Sequence, residues 1–263
     1  MFRVRDLGKI FLSKQIRGIC MVRRVFLENT FCFELKAVVT AVGSDEKGEW
    51  VRLDQTIFHP QGGGQKSDSG SIDGIINVTA LKEVEGGELN HYVDKSGVLN
   101  IGQAVALKID SNLRLQYAAL HTAGHLLAAV VETKYPPAVA EKGHQFPGEA
   151  YYIFRGPVPS DKQGFKEIVQ GEIDRAINQE MPVHVLNQEG RQIQVGEYKP
   201  AGCGGTHLSN CSQIAFFKFR GDPKSAGKGT YKLSYEADYK SDNSEASQTT
   251  AITASSTASS SAC

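Results

Sequence analysis

Two pairs of metal-competent side chains, far apart in the chain, restrict the folds open to it. The first is His121 and His125 in "HTAGH"; the second is Cys203 and His207 in "CGGTH". Residues at i and i+4 of a helix lie one turn apart on the same side, so the first two imidazoles converge. Each pair alone also has an ordinary reading, as hydrogen-bonded helical histidines or a simply buried cysteine. Together they supply four nitrogen and sulfur donors of the kinds zinc prefers. A zinc ion shared by His121, His125, Cys203 and His207 requires the two segments to meet. Gly204 and Gly205 are expected to take positive φ and let backbone pass close to the ion.

The chain around these pairs changes character at Ser111. Before it, "FCFELKAVVTAV", "EWVRLDQTIF", "GIINVTALKEV", "ELNHYVD" and "QAVALKID" read as strands separated by Gly-, Asp- and Ser-rich turns. Short strands at such spacing predict a small N-terminal β-barrel. "FHPQGGGQKSDSG", residues 58–70, interrupts it with a triple glycine that no ordinary hairpin needs. After it, "SNLRLQYAALHTAGHLLAAVVETKYPP" predicts a deeply buried helix with Ser111 and Asn112 as caps and Pro136-Pro137 as the stop. Leu113, Tyr117, Leu120, Leu127 and Val131 mark its inward stripe. Then come "EAYYIFRG", a helix from about Asp161 to Glu180, and strand-like "PVHVL", "QIAFFKFRG" and "GTYKLSYEA". The fold class is α+β. The expected divisions are an extension (1–20), the barrel domain (21–110), a zinc-binding core (111–238) and a disordered Ser/Thr/Ala-rich tail (239–263).

Charge excludes one class of function. The 29 Lys and Arg balance the 29 Asp and Glu, so the chain lacks the basic surplus of a general nucleic-acid coater. A local patch remains open to such a partner. In "FFKFRGDPKSAGKGTYK", Lys218, Arg220, Lys224, Lys228 and Lys232 gather with Asp222 as the single acid. Alternation turns Phe217 and Phe219 inward and Lys218 and Arg220 outward. That face contacts phosphates or is merely solvated. No apolar run approaches the roughly 18 residues of a membrane span. The five cysteines form no disulfide framework, which points to a reducing, cytoplasmic setting. A monomer is expected.

The order His121-x3-His125 followed by Cys203-x3-His207 resembles the signature of the alanyl-tRNA synthetase editing domain and its freestanding AlaX-type relatives. "LDQTIFHPQGGGQKSDSG" (Leu53 to Gly70) is similar to that family's glycine-rich motif, and "CGGTHLSN" (Cys203 to Asn210) matches beyond the donors. The likeness spans about Val22 to Asp238. It departs at His59, where the family more often has tyrosine, which makes His59 a candidate wall of the site. The resemblance implies a β-barrel packed on an α/β editing core, with the glycine-rich loop over the zinc. It also implies hydrolysis of the ester joining a wrong amino acid, serine before glycine, to tRNA-Ala. Thr56 matches the family's hydroxyl-bearing residue, and Gln65 closes the loop of Gly62, Gly63 and Gly64; these are the candidate substrate contacts. Lys218, Arg220, Lys228 and Lys232 are the candidate tRNA contacts. The competing class is a non-catalytic zinc-stabilised tRNA-binding module. A peptide-cleaving metallohydrolase is disfavoured because no glutamate follows His121 in an H-E-x-x-H arrangement.

Overall fold

The computed structural model describes residues 22–241 apart from 96, 188 and 189. The expected extension (1–20) and nearly all of the expected tail lie outside the described residues. Strands β1 (Glu34–Asp45), β2 (Gly48–Leu53), β3 (Gly70–Ile72), β4 (Ile76–Glu83), β5 (Leu89–Val93) and β6 (Ala104–Ile109) close a barrel in the order β1-β2-β5-β4-β3-β6. Alternation in β6 sends Val105, Leu107 and Ile109 inward, where they meet Val39, Leu53, Ile72 and Phe58. The β3 strand falls inside "DSGSIDG", which the sequence reads as a turn; three residues are too short to show a period. It packs closely on its neighbour, because a Cβ on Gly70 would lie 2.1 Å from the Lys108 carbonyl oxygen.

Helix α1 (Ser111–Lys134) follows β6 after one residue, and that residue is its cap: the Asp110 carboxylate accepts from the Leu113 amide at 3.0 Å. Ser111 and Asn112 are therefore not the caps, because the backbone is already helical at Ser111. From Tyr117 to Ala128 every residue of α1 is buried. It packs on a sheet of β7 (Val139–His144), β8 (Tyr151–Arg155), β12 (Ile214–Phe219), β13 (Lys224–Gly227) and β14 (Thr230–Tyr239), ordered β12-β14-β8-β7 with β13 beside β14. Helix α2 (Lys162–Asn178), capped by Asp161, contributes Phe165, Val169, Ile173 and Ala176 to the same core. A third sheet, β9 (Val183–Leu186), β10 (Gln192–Val195) and β11 (Ala201–Gly202), delivers Cys203 to the site.

One ion pair fastens the barrel to α1. Arg114, fully buried, bonds Asp68 through Nε at 3.0 Å and through a second nitrogen, and donates to the carbonyls of Thr30 and Ile57. Asp68 in turn accepts from the His59 amide at 2.6 Å. No described helix is long and apolar enough to cross a membrane.

Candidate metal centre

The two sequence pairs meet. One donor atom from each of His121, His125, Cys203 and His207 lies within 4.8 Å of the others. Burial rules the electrostatics here. It pulls His121 and His207 well below the ordinary imidazole range and His125 to about 4, so all three rings are neutral, with a lone pair to offer. Burial also raises the Cys203 thiol, against the Gly205 N–H and the nearby Arg191 charge, both of which favour the thiolate. Arg191 donates to the Cys203 carbonyl at 2.6 Å. Nothing in the sequence pattern singles it out.

The surrounding hydrogen bonds fix which nitrogen is free on two of the rings, those of His121 and His207. Gln65 Oε1 accepts from the Thr206 amide at 2.9 Å, and its Nε2 donates to the Thr206 hydroxyl at 2.9 Å. That oxygen lies 2.8 Å from His121 Nδ1, which therefore carries the proton. His121 Nε2 is left with its lone pair, 3.4 Å from Cys203 Sγ. The same logic holds for His207. Thr122 donates its hydroxyl proton to the Ala118 carbonyl at 2.8 Å and accepts from the Leu208 amide at 3.0 Å. Its second lone pair faces His207 Nδ1 at 3.4 Å, leaving Nε2 3.1 Å from the same sulfur. Outer partners that hold a ring in its coordinating tautomer characterise metal-binding histidines. The residues fit a metal ion.

Glycine serves this packing differently from the expectation. Neither Gly204 nor Gly205 has positive φ. Gly205 is needed for room, since a Cβ there would lie 2.2 Å from the His121 ring and 2.8 Å from Gln65 Oε1. Gly64 has φ +86°, and a Cβ on it would meet the Gly143 carbonyl oxygen at 2.7 Å, so the glycine loop lies against β7.

The remaining candidates fall into two groups. His59 is buried, edge-on to Phe26, with its Nδ1 unpartnered, and it walls a cleft of about 430 Å³ with Arg24, Gly62, Gly63 and Gly204. Thr56 is fully buried, 2.8 Å from His91 Nε2, and accepts from the Phe58 amide at 3.1 Å. His91, which the sequence presents as an ordinary strand residue, is thus the partner of Thr56, a cross-strand relation that no local pattern reveals. Lys218 lies on β12 and Arg220 just after it. Both pair with Glu236, at 2.9 and 3.6 Å, an acid supplied by β14. Lys228 sits in the β13–β14 turn with φ +51°, and Lys232 lies over the Tyr151 ring.

Gln65→Leu tests the outer bond directly. It removes the acceptor for His121 Nδ1 and is expected to weaken metal affinity roughly 10- to 100-fold. Competition with a chromophoric chelator measures this, and an unchanged affinity would mean that the carboxamide does not orient the ring.

No family model matches the chain. It is 28% identical over 220 residues to the alanyl-tRNA editing protein AlaX-M of Pyrococcus horikoshii, an alignment covering 82% of this chain and 97% of that protein. The AlaX-M protein of Saccharolobus solfataricus is 34% identical over 134 residues, covering 49% of this chain and 55% of the relative. The alanine–tRNA ligase of Caldivirga maquilingensis is 30% identical over 224 residues; these cover 74% of this chain but only 24% of the ligase.

Proposed function

We propose, from the premise that the chain is a homologue of the AlaX-type alanyl-tRNA editing proteins, that it is a zinc-containing hydrolase removing serine from mischarged tRNA-Ala. The observation that carries the reading is the joining of three segments at one point. The α1 histidines and the Cys203–His207 loop converge, and Gln65 of the glycine loop is bonded to both of them. A structural metal alone needs no glycine-rich loop over its edge, which favours the hydrolase over a tRNA-binding module.

Zinc held by His121, His125, Cys203 and His207 would supply net positive charge to orient and polarise an ester oxygen. Four protein donors make a closed shell, so positioning ranks ahead of water activation in this reading. In this reading the cleft beside His59, Gly62, Gly63 and Gly204 receives the aminoacyl end, while Gln65 and Thr206 keep the ring of His121 aligned. Selecting serine over alanine requires a group that bonds one extra hydroxyl. Thr56 retains the capacity. His91 Nδ1 lies 3.3 Å from the Val51 carbonyl and so carries the proton, which makes His91 Nε2 the acceptor for the Thr56 hydroxyl. With the Phe58 amide on one lone pair, Thr56 keeps a second; because the side chain is fully buried, a substrate hydroxyl reaches it only when the residues around it move aside.

The deciding assay follows hydrolysis of Ser-tRNA-Ala, Gly-tRNA-Ala and Ala-tRNA-Ala by the full chain, with zinc content determined on the same sample. Serine release at least tenfold faster than alanine release is expected; no release of any of the three would refute the reading. Thr56→Val should erase most of the serine preference at unchanged zinc content, while Thr56→Ser keeps it. Equal discrimination in Thr56→Val would remove Thr56 from the site.

A further inference from the structure

We infer that the solvent face of the β7-β8-β14-β13 sheet binds single-stranded RNA and leads the 3′ end of the tRNA to the glycine loop. This deepens the proposed function and rests on it. Lys142 of β7 is opposite Ile153 of β8, Ile153 is opposite Lys232 of β14, and Lys232 is opposite Lys224 of β13. Directly opposed residues share a face of a sheet. That face is the outer one, because Tyr231, Leu233 and Tyr235 are the buried residues of β14. Three lysines therefore stand in one row across four strands.

The next row is aromatic. His144 and Tyr151, also opposed, stack at 5.1 Å, and Phe146 lies 4.2 Å from His144. A lysine sits over each end of this run: Lys232 is 5.2 Å from the Tyr151 ring and Lys66 is 5.3 Å from the Phe146 ring. Lys66 directly follows Gln65, and the Gln145 amide bonds the Gly64 carbonyl at 2.8 Å. The track of rings and cations thus begins at Lys66, next to the residue that holds His121, and runs outward over the sheet.

Charge separates this face from the neighbouring patch. Lys218 and Arg220 are answered by Glu236, and Arg220 also donates to the Gly148 carbonyl. Among the described residues, Lys66, Lys142, Lys224 and Lys232 form no ion pair. The nearby acids Glu141 and Asp222 are held by Arg155 at 3.0 Å and Lys166 at 2.7 Å, and Glu149 faces His144 at 3.6 Å. Unpaired cations beside half-buried rings on a solvent face suit a flexible polyanion with stacking bases. A lysine that leaves its ring for a phosphate opens the ring face to a base.

The test is binding of uncharged tRNA-Ala transcript by the full chain, as Kd at several salt concentrations. Lys142→Ala/Lys232→Ala is expected to weaken binding roughly tenfold at 0.1 M salt and to flatten the log Kd against log salt slope by about 1.4, or 0.7 per lysine. Lys142→Arg/Lys232→Arg should restore both, and Lys218→Ala should change Kd less than twofold. Tyr151→Leu should weaken binding with the slope preserved. Wild-type affinity and slope in the double alanine variant, or a larger effect from Lys218→Ala, would overturn the proposal. So would equal competition by polyglutamate together with no effect of Tyr151→Leu, which would mark a site for acidic protein. Deacylation reports separately: a wild type that binds through these lysines but hydrolyses no ester refutes the function and leaves the surface standing.

Discussion

Cys203→Ala is expected to lose most of its bound metal and to slow hydrolysis of Ser-tRNA-Ala by at least about a hundredfold. Among the four donors only the sulfur can lose a proton to carry negative charge on binding a cation, and it faces the Nε2 atoms of both His121 and His207, so its loss removes the atom the imidazoles share. Fold stability should fall far less than activity, because Cys203 lies at the edge of the core rather than within it. Elemental analysis and single-turnover deacylation on one preparation check both halves. Full metal content with full activity would show that the cluster is not the functional centre. Full metal with lost activity would move the thiol's role from holding the ion to the chemistry.

Arg114→Met is expected to destabilise the protein by about 3–5 kcal/mol, the effect of leaving a buried charge without its partner. Arg114 is fully buried and the Asp68 side chain is 1% exposed, so no solvent compensates the carboxylate. The carbonyls of Thr30 and Ile57 lose their donor in the same step. Arg114→Met/Asp68→Asn should recover part of the loss, since it removes the stranded charge while the carboxamide oxygen introduced in its place still accepts from the His59 amide. Urea unfolding of the two single variants and the double variant measures the coupling. A single-variant effect below about 1 kcal/mol would mean that water reaches the pair.

The four donors were legible in the sequence because each pair is local: helical spacing brings His121 to His125, and one short loop brings Cys203 to His207. The five longer barrel strands were legible because they alternate over several residues. Strands β3, β7, β10, β11 and β13 were not, being short or, like Val139–His144, without a two-residue period. Long-range polar partners also left no trace. Gln65 was recognisable as the end of a glycine loop, but its bonds to His121 and Thr206 depend on how that loop docks on α1. His91 looked like strand filler until the fold set it beside Thr56. Glu236 shows the same limit from the other side: the segment around Lys218 seemed poor in acids because its neutralising carboxylate comes from the next strand, in a register that sequence does not state. Asp110 displaced Ser111 and Asn112 as cap for a simpler reason, one residue of helix boundary.

The single carboxamide of Gln65 answers to two masters, the loop that carries it and the imidazole beneath it. Any substrate that stiffens that loop in its bonded position shifts the free energy of ion binding, and reciprocity requires the ion to tighten substrate binding by the same factor. As free metal is depleted, affinity for the substrate would then fall in step with the ion's occupancy.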